Sequence, residues 1–275
     1  MNPPQLSGLA TGPAPAGAEG AEGAVVPGAV TRDAAAAPRD PRFTPVVAPI
    51  VVQAADVVPQ PRSELAARAL NVVLALLLLV VTAPLFLLVA LAVRLTSRGP
   101  AIYTQVRVGL DRRAPRPGGA PDDRRTADYG GRPFTIYKFR SMYVDAEADG
   151  RAVWARRGDP RVTPVGRVLR ATRLDELPQL FNVLKGDMNL VGPRPERPSI
   201  VMELRQHIAE YQARHRVRPG LTGWAQVNHA YDQTIDDVRQ KVRYDLEYVR
   251  RQSVWKDLGI LARTIPVVLF RRGGW

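Results

Sequence analysis

Cysteine is absent from this chain, which excludes a disulfide framework and any thiolate metal site. The three histidines, His207, His215 and His229, lack the HExxH or paired spacing of a zinc centre and read as surface or packing residues. No GxGxxG run and no P-loop spacing occurs, so nothing points to the familiar nucleotide-binding folds. Aromatic residues make up only 7% and are not interleaved with the basic ones, which argues against a nucleic-acid partner. Acidic residues are also scarce: 26 Asp and Glu against 39 Lys and Arg leave a formal charge of +13. Three arginines (Arg32, Arg39, Arg42) face five acids (Glu19, Glu22, Asp33, Asp40, Asp56) in the first 60 residues, a balance of −2, so the remainder carries +15. A surface that positive favours lipid headgroups or nucleotide phosphates.

What is present falls into three parts. Residues 1–60 are rich in Ala, Pro and Gly, without sustained periodicity, and read as a disordered tail with no basic start of a secretory signal. Residues 61–98 hold an uncharged run of 22 residues, Val72 to Val93, close to the ~20 that cover a bilayer core. Pro84 lies near its middle, where it removes a backbone hydrogen bond and predicts a kink. Arg62 and Arg68 precede the run, and Arg94 and Arg98 follow it. A straight span would place one arginine pair outside, against the tendency of basic flanks to stay cytoplasmic. A re-entrant helix hairpin bent at Pro84 keeps both pairs inside. Residues 99–275 form the third part, a cytoplasmic domain of short strands and helices, α+β in class with α/β mixture.

The stretch from Leu174 to Pro195, LDELPQLFNVLKGDMNLVGPRP, organises that domain. Leu177, Leu180, Phe181 and Leu184 share one helical face, which predicts a short amphipathic helix beginning near Asp175 and ended by Gly186. Pro178 fits only its first turn. Adjacent carboxylates at a helix start often serve as caps. Here Arg167, Arg170 and Arg173 come just before and Arg194 just after, between Pro193 and Pro195. Guanidinium groups around such a start favour an anion with several oxygens, most naturally phosphate, and would keep a carboxylate ionised.

Taken together, the apolar helix with Pro84, then IYTQVRVGLDRR, IYKFRSM, the LDELPQLFNVLKGDMNLVGPRPE block and VRPGLTGWAQVN resemble the monotopic polyprenyl-phosphate phosphoglycosyl transferases, the bacterial sugar transferase family. The resemblance covers roughly Arg62 to Phe270 and departs from the family at His229, where a glycine usually follows the asparagine. It implies a membrane-seated enzyme of the bacterial inner membrane, with its catalytic domain on the cytoplasmic side. That enzyme would transfer a phosphosugar from a nucleotide sugar, UDP-linked in the family, to polyprenyl phosphate at the start of exopolysaccharide or glycoconjugate synthesis. By the same resemblance Asp175 is the catalytic nucleophile; Glu176 is assigned to metal binding or acceptor orientation, with Mg²⁺ the cofactor held by Asp175 and Glu176. Lys138, Arg140, Arg170, Arg194 and Arg218 are the substrate-binding candidates.

Alternation in the strand before them leaves Lys138 and Arg140 on one side, toward phosphate or headgroup. Ser199 to Arg214 reads as a packing helix through Ile200, Val201, Leu204, Ile208 and Tyr211, and Asp236 to Arg251 as a charged helix with a solvated face. Trp255 to Phe270 combines apolar residues with Lys256, Arg263, Arg271 and Arg272, as an interfacial amphipathic helix would, with a plain core helix as the competing reading. Membrane lipid is thus an expected partner, and self-association into a homo-oligomer is left open. A non-catalytic, membrane-anchored scaffold for polysaccharide assembly would use the same anchor and arginines, but would have no need of the Asp175–Glu176 pair.

Overall fold

The structure is a computed structural model whose described residues are 57–112, 128–146, 158–229 and 234–269. Residues 1–56, 113–127, 147–157, 230–233 and 270–275, which include most of the N-terminal tail and the C-terminal arginines Arg271 and Arg272, lie outside them. The last residues assigned to the tail, 57–60, are attached to the fold at two points: Val57 is fully buried, and Gln60 donates its N–H to Val249 O at 3.1 Å.

Helix α1 spans Glu64–Thr96, started by Ser63, whose Oγ accepts from Ala66 N at 3.2 Å. It runs through Pro84 without a break, so the helix–break–helix suggested by the proline is not seen. Thr82, just before it, returns its hydroxyl to Leu78 O at 2.6 Å. Only a narrow stripe is buried, Ala67, Asn71 and Ala75 early and Val89 and Val93 late, while all the leucines and valines between except Leu79 stay exposed. By length and composition this helix can cross a membrane. Asn71, costly in hydrocarbon, is instead satisfied: Oδ1 accepts from Leu190 N of the domain at 2.5 Å and Nδ2 donates to Ala67 O of its own helix at 2.7 Å.

Strands β1 (Ile102–Val108) and β2 (Pro133–Phe139) pair antiparallel, with Ile102 opposite Phe139 and Val108 opposite Pro133. Helix α2 (Pro164–Thr172) is capped by the Thr163 hydroxyl and closed by Arg173 in the left-handed region at φ 57°. A 3-10 turn, Leu174–Glu176, follows, then α3 (Gln179–Lys185), ended by Gly186 at φ 84°. The carboxylates therefore sit on the turn before α3 rather than inside one continuous helix. The buried face of α3 is also rotated from the leucine pattern. Gln179, Leu180, Asn182 and Val183 point inward, while Phe181 is exposed and meets Phe86 of α1 edge-on at 5.9 Å. Asn182 explains the rotation, because its amide bridges β2 by accepting from Tyr137 N and donating to Thr135 O.

Strand β3 (Asn189–Val191) pairs parallel with β4 (Gly220–Thr222). Gly192, Gly220 and Gly223 let these backbones approach, since a Cβ at Gly220 would lie 2.0 Å from Gly192 N. Between the strands come α4 (Pro198–His207) and a 3-10 helix, Tyr211–Arg216, so the predicted Ser199–Arg214 helix is interrupted after His207. The chain ends in α5 (Trp224–Asn228), α6 (Ile235–Arg251) and α7 (Val254–Leu269). Helix α6 carries a Thr234–Asp237 capping box and buries Val238, Val242, Leu246, Tyr248 and Val249, so its inner face is core. On α7, Trp255, Leu258 and Ile265 are exposed while Ile260 is buried.

Candidate active site

The turn bearing Asp175 and Glu176 is held by its leucines. Leu174 and Leu177 pack on the cluster formed by Val89 and Val93 of α1 with Phe139 and Leu169. Both acids therefore lie beside the apolar helix, each only 8% exposed.

Their surroundings separate them. Glu176 is saturated: Lys138 Nζ donates to Oε1 at 3.2 Å, Arg194 Nη1 to Oε2 at 3.2 Å, and Arg194 Nη2 also to Oε1. Burial alone would raise its pKa, but Arg194 and Lys138 outweigh that and hold the carboxyl well below its usual range. Asp175 makes no hydrogen bond or ion pair among the described residues. Burial pushes its pKa up to about 6, against the pull of Lys138; the Glu176 charge adds to the rise, and Arg194 and Arg170 oppose it. The cations thus do not keep Asp175 as acidic as the arginine ring alone suggests, because desolvation is the larger effect.

Of the expected binding residues, Lys138, Arg194 and Arg170 gather here, the last acting on Asp175 through its charge. Arg140 and Arg218 go elsewhere. Arg140 is buried beneath the end of α1, donating to Arg98 O at 2.6 Å and to Ser97 O and Oγ at 2.8 Å. β2 ends at Phe139, so the alternation that would put Arg140 beside Lys138 stops one residue early. Arg218 pairs with Glu64 Oε2 at 3.0 Å, at the start of α1. Arg167 is exposed on α2. Arg173, whose left-handed backbone turns the chain from α2 into the acidic turn, adds positive charge near Glu176. Pro84 lies within α1.

A hard divalent ion such as Mg²⁺ needs one or two protein carboxylates when phosphate oxygens and water complete its shell. Asp175 has its oxygens open for that; those of Glu176 are engaged by Arg194 and Lys138. Among the described residues no group of three or more His, Asp or Glu could form a self-sufficient metal cage.

Behind Arg194 runs a polar network that the sequence pattern does not announce. Glu196 receives Lys241 Nζ at 3.0 Å and lies 3.5 Å from Arg107 Nη1. Burial would raise its carboxyl, yet Lys241 and Arg107 lower it to about 2. Arg214 and Asp245 form an ion pair at 2.7 Å with side chains 1% and 2% exposed. A signal for Arg214 exists: it falls three residues after Tyr211, on the same apolar stripe, where an unpaired guanidinium could not stay.

The model of the bacterial sugar transferase family matches residues 62–271. The chain is 40% identical over 259 residues to an undecaprenyl-phosphate glucose phosphotransferase of Komagataeibacter xylinus, covering 91% of this chain and 44% of that protein. Identity is 41% over 217 residues to a UDP-N-acetylgalactosamine-undecaprenyl-phosphate N-acetylgalactosaminephosphotransferase of Aeromonas hydrophila, covering 79% of this chain and 47% of that protein. It is 44% over 213 residues to a UDP-glucose:undecaprenyl-phosphate glucose-1-phosphate transferase of Caulobacter vibrioides, covering 77% and 72%. The chain thus spans about half the length of the first two relatives and most of the third.

Proposed function

Because this chain belongs to the bacterial sugar transferase family, we propose that it transfers a phosphosugar from a UDP-sugar to undecaprenyl phosphate, forming undecaprenyl-diphosphate-sugar and UMP. The observation that carries this reading is the unequal pair: Asp175 open-handed and Glu176 clamped, in a cationic pocket against an apolar helix.

In this reading an Asp175 oxygen attacks the β-phosphorus, and the bond from that phosphorus to the bridging oxygen breaks as UMP leaves. An oxygen of undecaprenyl phosphate then attacks the same phosphorus, and its bond to Asp175 breaks, regenerating the carboxylate. Carboxylates are weak nucleophiles and are repelled by a diphosphate, so positive charge must meet the developing anion. Lys138, Arg170 and Arg194 supply it, and the Arg194–Glu176 fork keeps the guanidinium oriented. Mg²⁺, when bound by Asp175 with substrate phosphates, would neutralise further phosphate charge.

A polyprenyl acceptor leaves the bilayer only at about 0.8 kcal/mol per CH₂, so the reacting carboxylate has to sit at headgroup height. The packing of Leu174 and Leu177 on α1 supports that placement. We read α1 as seated in the bacterial inner membrane from the cytoplasmic side, with both ends on that side. Its start is tied to the domain by Arg68, which donates to Val183 O and Leu184 O at 2.6 Å, and its end by Arg140. The exposed Trp255, Leu258 and Ile265 of α7 suit the lipid interface. The biological step is the first sugar transfer in exopolysaccharide or glycoconjugate assembly.

The test is Asp175→Asn in membranes containing undecaprenyl phosphate. Turnover and covalent labelling by radiolabelled UDP-sugar should vanish while membrane association persists; activity above about 10% of wild type would remove Asp175 as nucleophile.

A further inference from the structure

The turn Pro193–Arg194–Pro195 has no N–H at either proline, so apart from the Arg194 N–H only its three carbonyls can anchor it. All three are held: Pro193 O accepts from Gly220 N at 2.9 Å, Arg194 O from Arg214 Nη2 at 2.9 Å and Pro195 O from Arg107 Nη1 at 3.2 Å. The middle anchor is the most committed. Arg214 is 1% exposed, its Nε donates to Asp245 Oδ2 at 2.9 Å and its Nη1 to Tyr211 Oη at 2.9 Å. Buried ion pairs contribute little to stability compared with apolar replacements, so stability alone is a poor reason for one here. No apolar residue could donate to the carbonyl of Arg194.

We propose that Arg214, locked by Asp245 and Tyr211, is a positioning residue that fixes the Arg194 backbone and thereby keeps the Arg194 guanidinium on Glu176. This rests on the Asp175–Glu176 pocket being the reacting site. The side chain touches no substrate; it acts through Arg194, and its influence must disappear when the Arg194 side chain is gone.

The experiment uses the full chain in lipid nanodiscs with undecaprenyl phosphate and UDP-glucose. Arg214→Lys and Asp245→Asn are measured alone and combined with Arg194→Ala, with Val242→Ala as a destabilised control on the same helix as Asp245. Each single variant should lower kcat/KM about tenfold or more, as expected for a misplaced substrate-handling group, but less than about twofold in the Arg194→Ala background. Val242→Ala should lower Tm without that loss. Amide exchange at Gly220, which reports on the Pro193 carbonyl, should quicken in Arg214→Lys. Equal fold-losses in both backgrounds, or a folded Arg214→Lys with full activity, overturns the proposal. Should Arg214→Lys not fold, Tyr211→Phe replaces it, with a smaller loss and the same dependence on Arg194. If wild-type protein transfers no sugar from any UDP-sugar, the functional reading fails separately, and the exchange at Gly220 alone decides: unchanged exchange overturns the positioning role.

Discussion

At the scale of residues, two neighbours of the same charge type have been given opposite environments. Glu176 spends its oxygens on Lys138 and Arg194, and Asp175 spends none. The pair itself is plain in the sequence, and so are Arg170 and Arg194 as cations beside it, whereas the contact of Lys138 with Glu176 is not. The division of hydrogen bonds between the two acids is not plain either, because it depends on which oxygen meets which donor across segments far apart in the chain. Arg140 shows the same limit: its spacing from Lys138 is right, but the strand ends between them and the C-terminus of α1 claims its donors. His215 yields a pH prediction. It is 5% exposed, with both ring nitrogens buried and unpartnered, and burial, aided by Arg214, drives its pKa down to about 3. A depressed folded pKa gives stability that is present above the unfolded value near 6.5 and is lost as pH falls toward the folded one. Unfolding free energy should drop by about 2 kcal/mol between pH 6.5 and pH 5 from this group alone. Denaturant titration of His215→Phe over that range should show a flatter profile than wild type; equal slopes would refute it.

At the scale of elements, helix existence is mostly legible, while helix faces and joints are less so. The Thr163 cap of α2, the stop at Gly186 and the apolar run of α1 follow from local chemistry. The tilt of α3 does not, since a buried asparagine serving β2 overrides the leucine stripe. The short parallel pair β3 and β4 joins segments nearly thirty residues apart by glycine-permitted contact, which no periodicity marks. Asn71 makes α1 dependent on that pair. Replacing it, Asn71→Leu, strands the Leu190 N–H in the core, a loss of about 1–3 kcal/mol. Urea unfolding of the detergent-solubilised variant should show that loss, and an unchanged midpoint would mean another acceptor is within reach.

At the scale of the molecule, α1 is about 50 Å long at 1.5 Å per residue, well beyond the ~30 Å of a bilayer core. One domain nonetheless grips it near both ends, through Arg68 and Asn71 early and Arg140 late. A straight crossing would have to put one of those grips on the far side of the lipid. Cysteines introduced singly at Ala66 and Thr96, both exposed on α1, should therefore escape an impermeant thiol reagent in intact cells and react after permeabilisation. Labelling of either one in intact cells would mean that the helix traverses.

The packed segment just ahead of α1 has a mechanical corollary. Gln60 is stapled to Val249 O and Gln252 Nε2, and Arg216 grips Val57 O, all on the side of α6 and the Tyr211–Arg216 turn. Tension arriving from upstream polypeptide would thus be borne by these bonds before it reaches α1. The molecule has a strain relief at its cable entry, and cargo fused upstream should pull on the housing rather than on the long apolar helix.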